Sequence, residues 1–134
     1  MSKGALRIHR PGATTVAFDL DGPTADLVTL EKELLALEAR IAKEGGRVVC
    51  LYARVRDVVA VLGGTSFVRF ARGYIERTAD FARVAVLVER SFVVRTVVDP
   101  IALLAPRIQI RTFSAEDAAT AWLREADPTF QPSP

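Results

Sequence analysis

Cysteine and histidine are almost absent: the chain has one of each in 134 residues. A single cysteine excludes an intramolecular disulfide. Cys50 sits in the apolar run Val48-Val49-Cys50-Leu51-Tyr52, where a cysteine usually behaves as a small buried hydrophobe. One cysteine with one histidine excludes the usual zinc ligand sets. Nucleophile, base and metal ligands are all missing as sets, so no enzyme activity and no cofactor are expected. There is no uncharged apolar run long enough to cross a bilayer, which excludes stable membrane insertion. The first residues, Met-Ser-Lys-Gly-Ala-Leu-Arg, lack the apolar core of a signal peptide, and the expected compartment is the cytoplasm. Charge of one sign is lacking too. Eighteen basic side chains face sixteen acidic ones, for a net charge of +2. The arginines, from Arg54 to Arg111, are scattered with carboxylates between many of them, which argues against nucleic acid as a partner. Neither an internal repeat nor a low-complexity tract is present.

What is there reads as one globular domain. Half of the residues are hydrophobic and a quarter are charged, close to the soluble average, and a chain of this size can bury a core without staples. Leu6 and Ile8, then Val16, Phe18 and Leu20, alternate with polar or small residues around Pro11-Gly12, which predicts a hairpin. Asp21-Gly22-Pro23-Thr24 breaks that pattern, and Thr24 can cap a helix. Leu27, Leu30, Leu34, Leu37 and Ile41 follow at spacings of three and four, with charged residues on the other faces. This predicts an amphipathic helix that Gly45-Gly46 ends in a left-handed cap. Residues 47–53 are a β-branched apolar run that fits a central strand buried on both faces. A second helix is expected from Thr65 or Ser66. Then Val84–Val88, a helix over 92–105, Ile108–Phe113 and a helix opened by Ser114-Ala-Glu-Asp117 follow in order. Strand, helix, strand, helix at that spacing predicts a layered α/β domain. Ser114 with Asp117 reads as a capping box variant, and Trp122 as a core anchor of the last helix.

The segments Arg83-Val-Ala-Val-Leu-Val88, Ser91-Phe-Val-Val-Arg95, Ile110-Arg-Thr-Phe113 and Glu116-Asp-Ala-Ala-Thr-Ala-Trp122-Leu123 resemble the SpoIIAA-like group of the STAS superfamily (sulfate transporters and anti-sigma-factor antagonists), a group of small bacterial domains also described as STAS/Sec14-like. The resemblance covers nearly the whole chain. It implies a mixed sheet of about five strands with about four helices packed on it, spanning residues 5–127; the polar, proline-containing ending, 128–134, reads as a mobile C-terminal tail. It also implies a binding and regulatory role like that of an anti-sigma-factor antagonist. Those antagonists carry a phosphorylatable serine in an Asp-Ser-Ser-Gly turn, where the third strand gives way to the second helix. This chain has Ala53-Arg-Val-Arg-Asp57 there and, further on, Gly64-Thr65-Ser66. Sec14-like relatives hold lipid in an apolar cavity, which makes a small-ligand or lipid carrier the alternative.

In open α/β sheets ligands gather beyond the carboxyl ends of the strands, here Arg54–Asp57, Glu89–Ser91 and Thr112–Ser114. Thr65, Ser66 and Ser91 at helix starts suit a phosphate or small anion; the plainer reading is that they cap those helices. Ser66 is the first candidate for phosphorylation, with Arg54, Arg56 and Arg69 near in sequence. His9 reads as a surface or edge residue. Asp19 and Asp21 share a strand face and read as the surface of a hairpin end. The 92–105 helix is apolar nearly all round, with Phe92, Val94, Val98, Ile101 and Leu104 among its residues. A small two-layer domain can hardly bury it on every side, which points to a homodimer interface or a protein partner.

Overall fold

The computed structural model describes residues 5–21, 27–56, 73, 82–88 and 108–132. They form strands β1 (Ala5–Gly12), β2 (Thr15–Asp21), β3 (Cys50–Arg56), β4 (Arg83–Val88) and β5 (Gln109–Phe113), with helices α1 (Leu27–Lys43) and α2 (Glu116–Arg124). The five strands make one sheet in chain order, β1-β2-β3-β4-β5. β1 is antiparallel to β2, and every later pair is parallel. A tight turn suffices for the first pair, whereas each parallel pair needs a crossover. The expected α/β domain with a mixed sheet is therefore present. Two helices stand among the described residues. The two others expected, from Thr65 or Ser66 and over 92–105, lie outside them except for Gly73, which is helical.

Several boundaries differ from the sequence reading. The hairpin turns at Ala13-Thr14, not at Pro11-Gly12. Pro11 and Gly12 belong to β1, where the pairing shifts between His9 and Gly12. An edge strand tolerates a proline, because its outward N–H has no ladder bond to make. Gly12 is required by close approach: a Cβ there would collide with Asp127 Oδ2 and come within 3.1 Å of the Phe130 Cα. β3 starts at Cys50 and runs on through Arg54 and Arg56. The N–H groups of Val49 and Cys50 both donate to the Thr14 carbonyl, at 2.8 and 3.2 Å, which fixes the strand start against the hairpin.

Side chains alternate across each strand. One face carries Ala17, Cys50, Tyr52 and Ala85, which pack with Ala119, Trp122, Leu123 and Phe130. Burial pushes the Cys50 thiol up to about 11, as befits a packing residue. The alternate residues Val16, Phe18, Leu51, Ala53 and Val84 are also buried. α1 packs against β1 and β2, with Leu30, Leu34 and Ile41 fully buried. It ends as its glycines predict. Gly45 has φ 82, its N–H donates to Ala42 O, and the Gly46 N–H donates to Ile41 O, both at 3.0 Å. This is a Schellman motif.

α2 does not start as expected. Its N-cap is Ala115, with no side-chain cap bond, and Ser114 lies outside the helix. Glu116 and Asp117 in the first turn complement the helix dipole instead. Trp122 is a core residue, 6% exposed. Of the tail expected from residue 128, residues 128–132 are described, and Phe130 is fully buried with its ring edge-on to Tyr52 at 5.5 Å. Buried Asp127 fastens this segment to the hairpin. Its Oδ2 accepts from Thr15 Oγ1 at 2.7 Å and Thr14 N at 3.1 Å. Its Oδ1 accepts from Thr129 Oγ1 at 2.6 Å and Thr129 N at 3.1 Å. Ala13 N donates to Thr129 Oγ1 at 2.7 Å, and Gln131 N to Pro11 O at 2.8 Å. A proline-rich, polar ending gives no periodic signal, so a tail anchored by hydrogen bonds reads as a loose one.

Burial works to raise the Asp127 pKa, but the bonds from Thr129, Thr15 and Thr14 outweigh it and hold the carboxyl below its ordinary value. Its ionised form therefore stabilises the fold above the ordinary carboxylate range, and that contribution is lost as pH falls through the lowered pKa. Asp127→Ala is expected to cost about 2–4 kcal/mol at neutral pH, since buried donors lose their acceptor. Urea unfolding should show this cost shrinking toward strongly acidic pH; an equal cost at every pH would contradict the role given to the ionised carboxylate.

Candidate functional site

The β2–β3 register sets Asp19 directly opposite Arg54. Both lie near the carboxyl ends of parallel strands, on the face that α2 covers. Arg54 grips Asp19 with two bonds, Nε to Oδ1 at 2.7 Å and Nη2 to Oδ2 at 2.6 Å. Its third nitrogen, Nη1, reaches Glu116 Oε2 at 3.0 Å. The Tyr52 hydroxyl donates to that same oxygen at 2.9 Å. Tyr52 is two residues before Arg54 and so on the same face. Glu116 comes from the first turn of α2. Four side chains from β2, β3 and α2 thus form one connected network.

Each partner shifts the chemistry of the others. Bonding to Asp19 is the main reason that the Arg54 guanidinium holds its proton more tightly than usual, with Glu116 adding to it. The buried Tyr52 hydroxyl is raised well above its ordinary pKa, by burial first and then by the Glu116 carboxylate it bonds. It stays protonated and remains a donor. The pair is partly screened, with side-chain exposures of 22% for Arg54 and 26% for Asp19. The arrangement can hold charge in a fixed geometry, and every one of its four members already has a protein partner.

His9 borders the network. Its cross-strand neighbour is Ala17, and it lies two residues from Arg7, which faces Asp19. Its Nδ1 is buried and has no hydrogen-bond partner among the described residues. Burial is the chief cause lowering its pKa; Arg7 and Arg54 lower it further, and Asp19 opposes them. The imidazole is thus biased to neutrality. The sequence expectation of an edge residue agrees with its place on the outer strand β1.

The residues singled out from sequence fall in different places. Thr65, Ser66 and Ser91, proposed for an anion, and Phe92, Val94, Val98, Ile101 and Leu104, proposed for an interface, all lie outside the described residues. Arg56 is the last residue of β3. Asp19 departs from its expectation: it is an ion-pair partner of the sheet, not a loose hairpin-end carboxylate. The sequence pattern alone does not group Tyr52, Arg54 and Glu116. The available signal was a charge inside an apolar strand pattern, Phe18-Asp19-Leu20 and Ala53-Arg54-Val55, but pairing those charges requires the register. Among the described residues no group of acidic, His or Cys side chains could hold a metal ion. No described helix is long and apolar enough to cross a membrane.

Fold and site together define a small α/β domain whose mixed sheet opens with a hairpin and closes with a C-terminal helix. The family model described as SpoIIAA-like matches residues 16–124, and the chain belongs to this family of STAS domains. Comparison with curated proteins and with solved structures gives no match.

A double-mutant cycle on Arg54→Ala and Asp19→Ala should give a coupling of roughly 1–2 kcal/mol, because the contact is two-pronged and half-buried. The cycle on Arg10 and Glu44, bonded at 2.8 and 2.9 Å on the surface, should give a smaller one. Denaturant unfolding of the wild type and the six variants measures both, and equal couplings would remove the distinction.

Proposed function

We propose that the chain is a non-catalytic regulatory and protein-interaction module of STAS type, acting in the cytoplasm, and that it self-associates through residues 92–104. Membership of the SpoIIAA-like family supports a regulatory or interaction role. The observation that carries the non-catalytic reading is the closed network at the carboxyl ends of the strands. A general acid or base needs a titrating group facing substrate. Here Asp19 and Glu116 are both bonded to Arg54, and the Tyr52 hydroxyl is spent on Glu116. Such a network fixes the shape and charge of a surface. Regulation through Ser66, with Thr65 and Ser91 as further anion-binding candidates, belongs to the same proposal. Arg54 is already held by two carboxylates, so a phosphate at Ser66 would draw on Arg56 and Arg69.

The 92–104 segment supports self-association by its composition: only Arg95 and Asp99 in it are charged, so the helix expected there would be apolar on more than one face. Native mass spectrometry and sedimentation of the purified full chain test this directly. At tens of micromolar, a range that populates micromolar dimers, the chain should have the mass of a dimer, and Val98→Asp should give a soluble monomer. A wild-type monomer would contradict self-association. An added mass released as lipid would favour the carrier reading instead.

A further inference from the structure

Arg111 is the middle residue of β5, the outer strand of the sheet. It is exposed, and its guanidinium carbon stands 5.3 Å from the centre of the Trp122 ring. Among the described residues the Arg111 side chain has no carboxylate partner and no hydrogen bond; its main chain pairs with β4. Arg83 approaches the same ring at 5.0 Å, but it is neutralised by Glu125 at 3.1 Å and bonded to Trp122 O at 2.6 Å. The ring therefore orients the Arg111 cation without cancelling its charge.

The two edges of the sheet differ. β1 is guarded by Pro11, by its shifted register and by Arg10, which is tied to Glu44. These are the usual defences of an edge strand. β5 has no proline, and its pairing to β4 runs without a break from Gln109 to Phe113. Among the described residues no strand pairs with its outer side. Along the face that α2 covers, β5 presents Gln109, then Arg111, then half-buried Phe113, whose ring is 5.5 Å from that of Trp122.

We infer that the outer edge of β5 binds an extended acidic segment of a partner protein as an added strand, with a carboxylate opposite Arg111 and an apolar side chain two residues away opposite Phe113. Main-chain bonds supply the attachment, and the alternate side chains supply the selection. A second copy is the poorer occupant. Two β5 strands paired about their common middle residue would set Arg111 against Arg111, and like charges directly opposite repel. The inference rests on the reading of the chain as an interaction module and gives that module's partner a chemistry.

The test uses the ¹⁵N-labelled full chain and two end-blocked peptides, Thr-Val-Glu-Val-Phe-Val-Thr and the same peptide with Lys for Glu. The Glu peptide should shift the amide resonances of residues 109–113 and saturate them, and the Lys peptide should bind more weakly. Arg111→Ala should weaken the Glu peptide about fivefold, and Arg111→Glu should reverse the preference toward Lys. Unchanged β3 resonances would show that each variant is folded. No shift in 109–113 at millimolar Glu peptide, or an unreversed preference in Arg111→Glu, overturns the inference. Shifts of 109–113 on dilution of the protein alone also overturn it, in favour of a second copy. Sedimentation of the same samples reads self-association separately, so failure here is distinguishable from failure of the dimer reading.

Discussion

Among the described residues, one short C-terminal strip covers the face of the sheet that carries Ala17, Cys50, Tyr52 and Ala85, and this constraint organises much of what is described. α2 has nine residues, too few to hold a helix in water by its own bonds. Its stability must come from what it buries. Trp122, Leu123 and Ala119 supply that burial, and Phe130 extends it past the helix end. Polar ties then fix the strip at both ends. Glu116 binds Arg54 and Tyr52 at the start. Asp127 and Thr129 bind the hairpin at the finish. Between them, Arg83 bonds the Trp122 carbonyl and Glu125.

The same ties explain the placement of charge. Arg54 and Asp19 lie in mostly apolar strands, where an unpaired, half-buried charge would be costly. The pair is tolerated because the register makes it two-pronged and because Glu116 satisfies the remaining guanidinium nitrogen. The carboxyl-end surface thus serves folding and presents fixed charge at once. A regulatory or protein-interaction role, which the SpoIIAA-like family suggests, has use for such a surface, since recognition by shape and charge needs groups that do not rearrange. Arg111 is the contrasting case: oriented by a ring but left without a counter-charge among the described residues.

The elements were legible where the signal is local. The hairpin strands, α1 with its Gly45-Gly46 ending, β4, β5 and α2 follow from hydrophobic period, although the hairpin turns at Ala13-Thr14 and not at Pro11-Gly12. Trp122 was readable as a core anchor because small and apolar residues surround it. What depends on distant partners was not legible. Arg54 and Arg56 look like the end of a strand until the β2–β3 register supplies Asp19. Ser114 looks like a cap until the helix is seen to start two residues later, at Glu116. Residues 128–132 look like a tail because Asp127, Thr129 and Phe130 find their partners more than a hundred positions away or in β3. The anion and interface candidates at 65–66 and 91–104 lie outside the described residues.

The C-terminal strip and the centre of the sheet form one cooperative unit, and native-state hydrogen exchange followed by NMR tests that most directly. The amides of Ala119 and Leu123 in α2 should open with the same free energy and the same denaturant dependence as those of Tyr52 and Ala53 in β3. If α2 exchanges through small, denaturant-independent openings while β3 stays protected, the strip is an accessory to the sheet and the ties at Glu116 and Asp127 do not hold it.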